Sequence, residues 1–278
     1  MRNLFLSIIA VVLLCLVFSA ESFAQKVKPE EIIAKNLESI GTAQKRSEVK
    51  NYFGVGISQF SSKLPSKKAL GKIVLVSDAA NFFYLSSFNS KEYPFEKIGF
   101  FKDDVNLPYV IAGARSPLGA FIADHKRILS DGLFGGAMSL RWTAKKGKYV
   151  YDGQKKIDGK KVNVLEYFPD SGSQEFSVKL FFDAETSRHV RTEYRHTIAE
   201  KEKQFGTYGQ QSGLSIEMIE DFADFKTVDG ITLPYSSKVK YLTESTSGTY
   251  EYEWLVNLTQ YYYNQKLDPN FFTFESKQ

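Results

Sequence analysis

Three histidines, His125, His189 and His196, and two groups of carboxylates are the residues of this chain best suited to acid/base or metal chemistry. His125 falls on a helical pattern, His189 begins a strand pattern and His196 lies near its end. No two therefore stand at the i, i+4 spacing with which a helix presents paired metal ligands, and each reads as structural. Asp103 and Asp104 are adjacent, which in an extended chain sends their side chains to opposite faces. Glu217, Glu220, Asp221 and Asp224 run along a strand and read as a solvated face, whereas acid/base work needs carboxylates whose environments split their acidity. Neither Gly-x-Ser-x-Gly nor His-Glu-x-x-His occurs in the chain. The expectation is a protein that is not an enzyme, with no metal and no cofactor.

The single cysteine, Cys15, lies in an apolar run from Leu4 to Phe18. Arg2 and Asn3 precede the run and Ser22-Phe23-Ala24 follows it, which is the pattern of a signal peptide over 1–24, cleaved after Ala24. The run is shorter than the roughly 20 residues a spanning helix needs. Leu13 and Leu14 do not provide the small residue that lipid attachment at Cys15 requires, so the expectation is an exported periplasmic protein that is not a lipoprotein. Its mature chain has no thiol, which removes disulfides, thiolate ligands and cysteine nucleophiles. Stability then rests on a core, as suits one domain over 25–278.

The 278 residues carry 36 Lys+Arg against 32 Asp+Glu, a net charge of +4. The lysines are scattered through strand patterns rather than gathered on one stripe, so nucleic acid is not an expected partner. Phe (23) and Tyr (16) are abundant, which fits strands and an aromatic-lined cavity equally.

The elements that must position these side chains are mostly strands. Pro29 to Gly41 reads as a helix, with Pro29 at its first position, Glu30 and Glu31 on the positive end, and Ile32, Ile33, Leu37 and Ile40 as one stripe. A period of two then runs through Val49–Ser61, Gly71–Ser77, Asn81–Phe88 and, more weakly, Tyr93–Lys102. Pro117 to Ser130 returns to helical spacing behind Ser116 as N-cap, and Gly132 to Ala137 is a glycine-rich apolar turn, read as a gate or a tight core crossing. Tyr149–Asp152, Val162–Phe168, Ser177–Phe182, His189–Thr197, Leu214–Phe225, Ile231–Tyr241 and Thr249–Leu258 complete an antiparallel set, with Asp229-Gly230 as a turn. The fold class expected is mainly β with helices, a sheet curled into an unclosed barrel under a helical lid.

Alternation places Phe176, Val178, Leu180 and Phe182 on one face, Val190, Thr192, Tyr194 and Ile198 on one face of the next strand, and Ile216, Met218 and Phe222 on one face of a third. Tyr250, Tyr252 and Trp254 do the same in the last. Such a face is either a packed core or a partly empty cavity. In the second case Phe176, Leu180, Phe182, Tyr194, Met218, Phe222, Tyr252 and Trp254 would touch a hydrophobic ligand, with Leu118, Phe121, Ile122, Leu133 and Phe134 as lid. Each methylene buried contributes ~0.8 kcal/mol, so a few positions suffice for an acyl chain.

Three segments carry a family likeness. Lys179-Leu180-Phe181-Phe182-Asp183-Ala184-Glu185-Thr186 with Arg191-Thr192-Glu193-Tyr194, Asp229-Gly230-Ile231-Thr232-Leu233-Pro234, and the ending Leu267-Asp268-Pro269-Asn270-Phe271-Phe272-Thr273-Phe274 resemble the outer-membrane lipoprotein-sorting (LolA/LolB-like) superfamily. The resemblance implies an unclosed barrel with a helical lid over an apolar cavity, carrying lipoprotein acyl chains or other lipids. The partners expected are an envelope donor or acceptor protein and a transiently contacted membrane surface, and the chain is expected to be a monomer. The segment Arg115 to Trp142 is an addition relative to the best-known members. The rival is a non-catalytic envelope interaction protein with a fully packed barrel, docking a partner through exposed strands or Tyr261-Tyr262-Tyr263.

Overall fold

A computed structural model describes residues 27–102, 104–110, 113–129, 133–140, 148–168, 176–198, 214–246, 248–268 and 271–272. The signal peptide expected over 1–24 lies outside the described residues. Helix α1 (Pro29–Ile40) ends at Gly41, with Asn36 turned inward to donate to the Ser187 carbonyl at 2.9 Å. A second short helix, α2 (Ala43–Glu48), was not legible, because AQKRSE has no apolar stripe. Its Thr42 cap accepts from Lys45 N, and Arg46 reaches back to the carbonyls of Leu37 and Gly41.

Twelve strands form one antiparallel sheet: β1 (Asn51–Ser62), β2 (Lys67–Asp78), β3 (Asn81–Phe88), β4 (Phe95–Phe101), β5 (Asp104–Asn106), β6 (Lys148–Ile157), β7 (Lys160–Phe168), β8 (Phe176–Asp183), β9 (His189–Ile198), β10 (Leu214–Val228), β11 (Ile231–Ser245) and β12 (Gly248–Tyr263). Among the described residues, sequential neighbours pair except β5 and β6, and only β1 and β12 meet out of order, so the sheet is open between β5 and β6. This is the unclosed barrel expected. Between β2 and β3 the Asp78 carboxylate accepts from Ala80 N and Asn81 N, which closes the Ser-Asp-Ala-Ala turn. Curling needs close passes: a Cβ on Gly56, at the β1–β12 bulge, would sit 2.2 Å from the Asn257 carbonyl oxygen.

The edge strand β6 carries exposed Lys148, Lys155 and Lys156, which discourage pairing with another chain. The outer face of the first arm is covered by the C-terminal segment, where Phe272 packs on Val76 and Phe83. Among the described residues no helix is long and apolar enough to cross a membrane, which leaves strands aside.

The continuous helix expected over Pro117–Ser130 is broken at His125 into α3 (Pro117–Asp124) and α4 (Lys126–Leu129). A 3₁₀ turn, Gly136–Met138, follows. This segment does not rest on the rim of the sheet. Leu118, Phe121, Ile122, Leu133 and Phe134 are at most 2% exposed and belong to the central core cluster.

Candidate functional site

The concave face is aromatic because period-two strands put Tyr52, Phe82, Phe100, Phe176, Tyr194 and Tyr241 on one side, and residues 116–129 and 133–138 fill the space between them. Phe121 meets Phe176, Tyr194 and Tyr241 with ring centroids 6.1, 6.4 and 5.6 Å away. Phe134 lies 6.5 Å from Phe82 and 5.9 Å from Phe100. The segment is a plug, with its apolar residues occupying the inside of the barrel.

Two buried carboxyl groups of the sheet hold its two ends. At the front, Ser116 caps α3 by accepting from Gly119 N, and its hydroxyl donates to Glu96 Oε1 at 2.8 Å. Glu96 also accepts from the Tyr93 hydroxyl, which in turn accepts from Trp254 Nε1 at 2.7 Å. Burial pushes the Glu96 carboxyl up to about 7, against the hydrogen bonds from Tyr93 and Ser116, which pull it down. At the rear, Gly135 N donates to Glu220 Oε1 at 3.0 Å and the Tyr194 hydroxyl to Oε2 at 2.7 Å. Gly135 has φ +74°, and a Cβ there would lie 2.7 Å from the Phe82 ring.

Of the proposed ligand contacts, Phe176, Leu180, Phe182, Tyr194, Met218, Phe222 and Trp254 are buried under or beside the plug, and Tyr252 is half-buried at a cleft. Two alternations differ from expectation. Glu220 is 1% exposed, not part of a solvated face, because it shares parity with Ile216, Met218 and Phe222. Val190 turns outward to join Val162, Val164 and Phe181, because a register shift between Phe181 and Phe182 reverses the pattern and brings His189 inward. Glu96 was missed for want of the same test: it shares parity with Ile98 and Phe100.

The histidines are better connected than their sequence spacing implied. His125 Nδ1 lies 2.9 Å from the Phe121 carbonyl and so carries the proton, which leaves Nε2 to accept from His196 Nδ1 at 3.0 Å. Burial lowers the His125 pKa and the neighbouring His196 lowers it further. His189 sits beside the plug turn, its Nε2 within reach of the Arg191 carbonyl and the Thr192 hydroxyl. Among the described residues no three His, Cys, Asp or Glu side chains converge as a metal site.

Among the described residues, openings lie beside the plug and on the outer face of the sheet. A cleft of about 210 Å³ lies between Phe60, Tyr93, Tyr252 and the chain just before α3. An apolar cavity of about 300 Å³ lies at the α1 end, between Ile40, Leu140 and Leu233. A third, of about 390 Å³, is on the outer face among Lys160, Arg191, Asp221 and Lys238.

No family model and no curated protein matches the chain. Solved structures do. A putative outer membrane lipoprotein-sorting protein domain from Vibrio parahaemolyticus is 13% identical over 86% of this chain and 97% of that one, with a TM-score of 0.43. A DUF1329 family protein from Desulfovibrio piger is 11% identical over 87% and 96%, with a TM-score of 0.41. Mycobacterium tuberculosis lipoprotein LppX is 10% identical over 60% and 88%, with a TM-score of 0.24.

Proposed function

We propose that the mature chain, 25–278, is a periplasmic carrier that buries a lipid, a lipoprotein acyl chain or another hydrophobic ligand against the concave face of the sheet. The observation that carries this reading is the plug. Its residues Phe121, Ile122, Leu133 and Phe134 cover Phe82, Phe100, Phe176, Tyr194 and Tyr241, and the sheet is open between β5 and β6. An acyl chain replacing those side chains exchanges one apolar contact for another, so the exchange costs little transfer free energy. The carrier works as a monomer, touching a membrane surface or an envelope donor or acceptor protein as it loads and unloads.

Native mass spectrometry of the gently extracted protein, followed by titration with a fluorescent fatty acid, tests this. Co-purified lipid or saturable binding of about one probe per chain is expected. Neither lipid nor probe binding would overturn it.

A second reading draws on the same observation. With the plug buried the interior is filled, as an envelope interaction protein with a permanent core would be. Tyr262 is the exposed member of the Tyr261–Tyr263 stretch, at 42%, while Tyr261 is buried and donates to the Pro234 carbonyl. Crosslinking that captures one envelope protein, with no extractable lipid, would favour this reading.

A further inference from the structure

We infer that the cleft beside the front end of the plug is the headgroup site for an amphiphile carrying one anionic group, a carboxylate or a phosphate. The inference rests on the carrier reading and deepens it by naming the class of cargo.

The floor of the cleft is aromatic. Phe60 lies 4.2 Å from Tyr93 and stacks with Tyr252 at 6.5 Å between ring centroids, and both tyrosines are half-buried and line the cleft, so the exposed part of this packed aromatic cluster is what the first methylenes of a chain would meet. The rim is cationic, with Lys67, Lys68 and Arg115 against one carboxylate, Glu92. Lys67 is committed to Glu92. Lys68, from β2, and Arg115, from the chain leading into α3, are exposed and come from two different walls. The Arg115 guanidinium carbon lies 4.7 Å from the Tyr109 ring centroid, a cation–π contact that restrains the group at the cleft. Two cations from separate walls above an apolar floor match a negative headgroup with a hydrocarbon tail, and do not match a neutral or cationic one.

Size and position set what enters. About 210 Å³ takes a headgroup and the start of a chain, not a whole lipid. Ser116 and Pro117 form one wall, so a chain extending inward passes the point where Ser116 is bonded to Glu96. Burial holds that carboxyl toward its neutral form, which spares an anion at the rim from its repulsion.

The test is a competition assay with the mature protein and a fluorescent fatty acid probe. The competitors are dodecanoate, dodecyl phosphate and uncharged dodecanoylglycerol, which share one chain length. Both anions should compete about tenfold better than the neutral compound, as two charge-assisted contacts allow. The ratio between the two anions tells a carboxylate site from a phosphate site. K68Q/R115Q should lose the preference, bringing both anions to within about twofold of dodecanoylglycerol measured on the same variant, and the distant K155Q/K156Q pair should keep it. Equal competition by all three compounds, or a preference retained in K68Q/R115Q, would overturn the headgroup site and leave the carrier standing. Failure of the probe itself to bind would overturn both.

Discussion

The two ends of the plug are held by the same device and differ in how readily it lets go. At the front, a serine hydroxyl bonds to Glu96, a carboxyl whose charge state changes near neutral pH, with an open cleft alongside. At the rear, a backbone N–H bonds to Glu220, the glycine that provides it is in the left-handed region against Phe82, and the adjacent Phe134 sits between two rings. A buried hydroxyl–carboxyl bond whose serine borders a cleft is easier to break and remake than one whose backbone N–H donor is locked by packing. The comparison therefore assigns release to the Ser116 end and anchorage to the Gly135 end.

Variants and pH can separate the two ends. The largest effect is expected at the anchor: Phe134→Ala should cost about 3–5 kcal/mol of stability in urea unfolding, as removal of a buried aromatic ring does. A cost below about 1 kcal/mol would mean the rear end is not the anchor. At the front, Glu96 is raised from 4.5 to about 7 in the folded protein, so the stability it contributes is complete below about pH 4.5 and is lost as pH rises through about 7. That amounts to about 3 kcal/mol over the window, read as the difference between wild type and Glu96→Gln, which cannot ionise. Parallel pH profiles for the two proteins would remove the front latch from the account. Gly135→Ala should cost about 2–3 kcal/mol, from a left-handed alanine and a Cβ pressed on the Phe82 ring. Smallest is Ser116→Ala, about 1 kcal/mol from the lost cap, together with faster uptake of a fatty acid probe. Unchanged uptake would show that Ser116 does not limit opening.

Most of this architecture was legible in the chain. Alternation, turn pairs such as Asp229-Gly230, and the stripe of α1 gave the strands, the hairpins and the open antiparallel sheet. What escaped depended on partners distant in sequence. Glu96 and Glu220 look like surface residues until their parity with Ile98, Phe100, Met218 and Phe222 is counted, and the charge made the solvent reading attractive. The outward turn of Val190 follows from a bulge that sequence periodicity does not announce. His125 and His196 meet only because α3 is inserted into the barrel. The apolar residues of Leu118 to Phe134 were recognised as a group, yet their number and size, read as a cover, equally describe a plug. Helix periodicity reports that a face is buried and is silent on how deeply.

Hydrogen exchange of the mature protein with and without a bound fatty acid probe distinguishes release at the Ser116 end from anchorage at the Gly135 end, because it reports both ends of the plug at once. Ligand binding should speed exchange at Gly119, Ala120 and His125, whose amides are bonded within the front of the plug. Gly135 and Met138 should stay protected. Saturable binding with no change in exchange across 117–129, or equal loss of protection at both ends, would contradict it.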